Sequence, residues 1–103
     1  SPRDPRYAGW YEGGPASRDS AYHQGTVWPW LMGSYIDAMI SIKGRSKAVR
    51  SEARELLQPL LSFAAGTGTL PEVFDGSNPH RPGGCISQAW SVGEVLRAWK
   101  KIS

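Results

Sequence analysis

Residues Ala21 to Met39 read AYHQGTVWPWLMGSYIDAM, and their second half decides the fold. From Thr26 the pattern predicts a helix running to about Lys43. The Thr26 hydroxyl suits the free amides of a first turn, and Pro29 falls where a missing donor costs little. Gly44 then ends the helix. Val27, Trp28, Trp30, Leu31, Met32, Tyr35, Ile36, Met39 and Ile40 leave little of its circumference polar. A helix apolar on every side is expected to be buried on every side.

Residues 46–65 predict a second helix of different character. Val49, Ala53, Leu56, Leu57, Leu60 and Leu61 repeat at helical spacing, while Lys47, Arg50, Glu52, Arg54 and Glu55 take the opposite face. Pro59 lies inside this pattern and predicts a kink or a break. A third helix is expected from Ser87 to about Ile102, on the periodicity of Trp90, Val92, Val95, Leu96 and Trp99. Within it, Ser91 to Glu94 spell a capping box, which allows a later start. No stretch alternates long enough to predict a strand, so the class is all-α.

Composition sets the limits. The 103 residues suit one small domain or part of a larger one, and 40% hydrophobic content marks a globular chain. The net charge of +3 and pI near 9.3 are only mildly basic. With scattered arginines and no ribonucleoprotein-like motif, no nucleic-acid partner is expected. No apolar run approaches the roughly 20 residues that span a bilayer. A single cysteine, Cys85, excludes an internal disulfide and suits a reducing, cytoplasmic compartment. His23, His80, Cys85 and Asp75 have no metal-ligand spacing, so neither a metal nor another cofactor is expected. The opening SPRDPR lacks an initiator Met and reads as the middle of something longer.

The irregular stretches hold the chemistry. Residues 66–85, GTGTLPEVFDGSNPHRPGGC, form a connection of a length that is usually functional or disordered. Leu70, Val73 and Phe74 are apolar anchors around two carboxylates, Glu72 and Asp75. Glu72 follows Pro71, whose fixed φ stiffens the approach, and is a candidate general base. Asp75 precedes Gly76, so it is either a second cleft carboxylate or the cap of a turn. His23 and Gln24 could donate hydrogen bonds to hydroxyl groups or form a helix-entry network. Trp28, Trp30 and Trp90 could stack on the apolar face of a sugar ring or pack in a core.

Two long motifs, YHQGTVWPWLMGSYIDAM and LPEVFDGSNPHRPGGCISQAWSVGEVLRAW, resemble the C-terminal part of the glycogen debranching enzyme family. SPRDPRY with the following YEG resembles the segment that precedes the first motif in that family. Only the second helix is generic. The resemblance implies part of an (α/α)6 toroid as a single partial domain, with inner helices aiming loops at a central cleft. It also implies hydrolysis of α-1,6-linked glucose at branch points, with inversion, on a branched α-glucan such as glycogen or limit dextrin.

Glu72 matches the late glutamate that activates water in related enzymes. His23, Gln24, Trp28, Trp30, Asp75 and Trp90 become substrate-binding candidates. The family's general acid, an aspartate, lies in an earlier segment without a counterpart among these residues, so the chain by itself is expected to be inactive. A glycan-binding module without catalysis uses the same rings and polar groups and is the alternative. With few helices to cover an apolar one, self-association or union with the rest of a toroid is expected.

Overall fold

The computed structural model describes residues 1–103. It is mostly helical: α1 spans Pro15–Tyr22, α2 Leu31–Lys43, α3 Lys47–Thr67 and α4 Ala89–Ile102. Two short strands, β1 at Val73–Phe74 and β2 at Pro82–Gly83, pair antiparallel inside the long connection between α3 and α4. The all-α class holds, with one helix more than the periodicity showed.

The extra helix, α1, has Pro15 in its first turn, where the fixed φ is already helical. Its sequence PASRDSAY has little apolar content to betray it, and only Ala21 is buried. The expected start of α2 at Thr26 is corrected to Leu31. Thr26 does not cap it; its hydroxyl donates back to the Tyr22 carbonyl at 2.6 Å, closing the end of α1. Val27 instead exchanges both backbone hydrogen bonds with Phe74, each at 2.8 Å. A residue bridged to a distant strand cannot join a helix, so α2 waits until Trp28–Trp30 have turned the chain.

Ser46 caps α3 through its hydroxyl, which accepts from the Val49 amide at 3.3 Å. The expected break at Pro59 does not occur, and α3 continues to Thr67. Pro59 and Glu55 both face solvent, where water can take the carbonyl that the missing proline donor leaves free. Helix α4 begins at Ala89, and Ser91 is a buried residue of its first turn rather than a cap.

The core lies where α2, α3 and α4 meet. Ile36, Met39 and Ile40 face Val49, Ala53 and Leu57, with Val95, Ala98 and Ile102 closing the third side. Leu70 enters the same core from the long connection and fixes its near end. At Gly33, an added Cβ would collide with the Glu94 carboxylate. That close approach of α2 to α4 lets Arg97 bridge Glu94 and Asp37, each at 2.8 Å, while Lys101 reaches Asp37 at 2.7 Å.

The expectation that α2 is buried on every side is not met within the chain. Leu31, Tyr35 and Ile42 stand 48%, 57% and 84% exposed, because α3 and α4 cover only part of the circumference. No helix is long and apolar enough to cross a membrane.

Candidate active site

Three irregular segments come together at one end of the helices. The Val27–Phe74 bridge joins the turn before α2 to the hairpin. Gly25 lies against the Ala8 carbonyl, and Gly76 lies against the Gly25 carbonyl, so closely that a Cβ at either would overlap backbone. The Ser77 amide donates to the Gly9 carbonyl at 3.1 Å, and the Tyr7 and Ser77 hydroxyls share a hydrogen bond of 3.3 Å. These contacts dock the N-terminal segment on the loop that carries Glu72.

A cavity of about 660 Å³ opens beside this junction. Its walls are Tyr22, His23, Trp28, Trp30, Leu31, Glu72, Gln88 and Trp90. The structure therefore brings together five of the sequence candidates: Glu72, His23, Trp28, Trp30 and Trp90. His23 stacks parallel to Trp28 at 5.6 Å, and Trp30 meets Trp90 edge-on at 6.2 Å. Trp90 is 69% exposed, so its ring is an accessible platform rather than core. Rings with one free face and polar neighbours can stack on a pyranose while hydroxyls find donors around them.

Glu72 is the one carboxylate on these walls. Its Oε1 accepts from the Tyr22 hydroxyl and its Oε2 from the Cys85 amide at 2.8 Å. The Glu72 amide in turn donates to the Cys85 carbonyl at 2.9 Å, so backbone and side chain are held by the same residue. Gly84, with φ +69°, has no side chain to displace the carboxylate, which occupies the space a Cβ would need. One donor per oxygen leaves further lone pairs free for a water. The Tyr22 phenol is pushed up to about 12, first by its hydrogen bond to Glu72, then by burial and the nearby negative charge.

Gln24 and Asp75 lie outside the walls. Gln24 opens onto a separate, smaller depression shared with Asp4 and Tyr7. Asp75 is buried, with Oδ1 accepting from the Tyr11 amide and Oδ2 from Arg81 Nε, both at 2.7 Å. Arg81 also reaches Glu12 at 2.8 Å, and its guanidinium lies 4.8 Å from the centre of the Trp10 ring. Asp75 is thus a tie between segments, a role that neither the cleft nor the turn-cap expectation described.

Three wall residues were not singled out by sequence. Tyr22 immediately precedes His23 in the same motif, and its place there was the available signal. Leu31 was read only as an apolar position of α2. Nothing in the sequence marked Gln88, which stands at the N-terminal edge of α4 and donates its amide to the Leu70 carbonyl at 2.9 Å.

No significant match was found among curated proteins or among solved structures. The family model described as Amylo-alpha-1,6-glucosidase matches residues 1–97, which takes in α1 to α3, the hairpin, every wall of the cavity and most of α4. The chain belongs to the amylo-α-1,6-glucosidase family.

Proposed function

We propose that the chain forms one wall of a glycosidase active site that hydrolyses α-1,6-linked glucose at the branch points of a glycogen-like glucan, with inversion. The observation that carries this is Glu72, the single carboxylate in an aromatic cavity, held at both oxygens and still open to solvent. Glu72 takes a proton from a water as that water attacks the anomeric carbon. In this reading His23 and Gln88, which line the cavity, bond sugar hydroxyls, and Trp28, Trp30 and Trp90 stack on sugar faces. Gln24 and Asp75 act on the substrate only through the segments they hold.

Inversion requires a second carboxyl roughly 6.5–9.5 Å away to protonate the leaving oxygen. No other carboxylate lines the cavity, so the acid comes from a further part of the catalytic domain, completing an (α/α)6 toroid around the cleft. The compartment is the cytoplasm, where a branched glucan store would be met. The same single carboxylate favours a second reading, a glycan-binding module without catalysis.

In a complete enzyme carrying this segment, Glu72→Gln keeps shape but loses the base. Turnover of a branched dextrin should fall about 10²–10⁴-fold. Binding of a glucose-like inhibitor should survive, because ground-state contacts come from the other walls. A Glu72→Gln enzyme that keeps most of its activity defeats the assignment. Dextrin binding without hydrolysis by the intact, unaltered protein establishes the binding module instead.

A further inference from the structure

We propose that Tyr22 is a positioning residue for Glu72: its hydroxyl holds the carboxylate in the rotamer that faces the cavity. This rests on Glu72 being the base. A glutamate side chain has several rotatable bonds, and a base must hold its oxygen within hydrogen-bond reach of one water. Cys85 grips Oε2 from the hairpin side of the cavity, but a single bond leaves the carboxylate free to pivot about that oxygen. The Tyr22 hydroxyl takes Oε1 from the other side and removes that freedom.

Tyr22 is itself held by its neighbours on α1 and the turn before α2. It is the last residue of α1, and its carbonyl accepts from Thr26 Oγ1 at 2.6 Å and from Trp28 Nε1 at 3.1 Å. Its ring meets Trp28 edge-on at 4.5 Å and His23 edge-on at 4.9 Å, with Tyr11 at 5.8 Å. The hydroxyl therefore cannot follow a wandering carboxylate; the carboxylate must come to it. With its phenol pushed up to about 12, Tyr22 keeps its proton at any working pH and serves as donor rather than base.

The test is a double-mutant cycle in a complete enzyme carrying this segment, built from Tyr22→Phe, Glu72→Gln and the pair. Tyr22→Phe keeps the ring and removes only the donor. Its kcat should fall about 10- to 100-fold, the scale of a misplaced catalytic group, with KM nearly unchanged. In the Glu72→Gln background the same substitution should change kcat by less than about two-fold, because there is no base left to place.

An equal loss in both backgrounds overturns the proposal, since it means that the hydroxyl supports the fold. So does a Tyr22→Phe enzyme at full kcat beside an inactive Glu72→Gln enzyme, which leaves the base assignment standing. An active Glu72→Gln enzyme removes both. If Tyr22→Phe does not fold, the phenol titration in Glu72→Gln decides: it should drop from about 12 toward the ordinary 10.0. An unchanged titration overturns the proposal.

Discussion

The Asp75 carboxylate lies 2.7 Å from the backbone amide of Tyr11, a residue 64 positions away, and this bond joins the contacts that seat the N-terminal segment on the Glu72 loop. The same carboxylate accepts from Arg81 at 2.7 Å from within the hairpin. A buried acceptor serving two segments is costly to remove where a donor is left without its partner. Arg81 is 48% exposed and keeps Glu12, so most of the loss falls on Tyr11.

Asp75→Ala should therefore destabilise a protein carrying this segment by about 1–3 kcal/mol, the cost of an unsatisfied buried donor. Chemical denaturation at neutral pH measures it. Asp75→Asn should cost less, since an amide oxygen can still accept from Tyr11. Equal stability of wild type and Asp75→Ala would show that the two segments hold together without the tie.

Gly84 tests the packing under the carboxylate. Its φ of +69° disfavours any side chain by about 1–2 kcal/mol, and a Cβ there would push into Glu72. Gly84→Ala should lower both the melting temperature and kcat. Gly44→Ala is the control: it has a comparable φ of +79° and open space around it, so it should affect stability alone. Equal kcat in the two variants would show that Glu72 accommodates the methyl group.

The junction of α2 and α4 supplies a pH dependence. The Arg97 guanidinium, then the Lys101 ammonium, hold the Asp37 carboxyl below its ordinary value of 3.8. A depressed carboxyl contributes stability that is present above 3.8 and is lost as pH falls through the folded value. Asp37 and its partners are each about a third or more exposed, so solvent screening limits the contribution to about 0.2–1 kcal/mol. Denaturation of wild type and Asp37→Asn should differ by that amount at neutral pH and converge in acid. A difference that grows on acidification would reverse the sign and discard the explanation.

How much of this was legible depends on whether the cause was local. The start of α3 is set by a contact over three residues, the Ser46 cap, and the periodicity placed that helix from residue 46 without naming the cap. Leu70 and Val73 were readable as anchors, because apolar residues inside a polar loop have few other uses, and both are buried. Thr26 misled because the local capping preference lost to a bridge between Val27 and Phe74, 47 positions apart by their numbering. Asp75 was undecidable from its neighbours, since its partner Tyr11 lies at the far end of the chain. Pro59 allowed either a kink or a break, and the break is avoided where the proline is exposed.

The exposed apolar residues predict behaviour in isolation. Leu31 and Tyr35 on α2, with Trp90 and Leu96 on α4, stand 48%, 57%, 69% and 59% exposed. An uncovered apolar surface beyond a few hundred Å² promotes association. The 103-residue chain alone should sediment as dimers or larger species in a concentration-dependent way. A monomer at high concentration with a sharp thermal transition would show that these faces tolerate water and would favour the binding-module reading.

Where Ala8, Gly25 and Gly76 meet, three backbones lie ply upon ply, Gly25 against the Ala8 carbonyl and Gly76 against the Gly25 carbonyl. Surface connections are ordinarily where a protein absorbs insertions and drift in length. Here each ply sets the height of the next, and the topmost continues directly from the strand that follows Glu72. A residue added to any one of them would lift the others and tilt the cavity wall, so the freedom to vary passes from the loops to the helices: to the solvent side of α3, which touches none of the three plies.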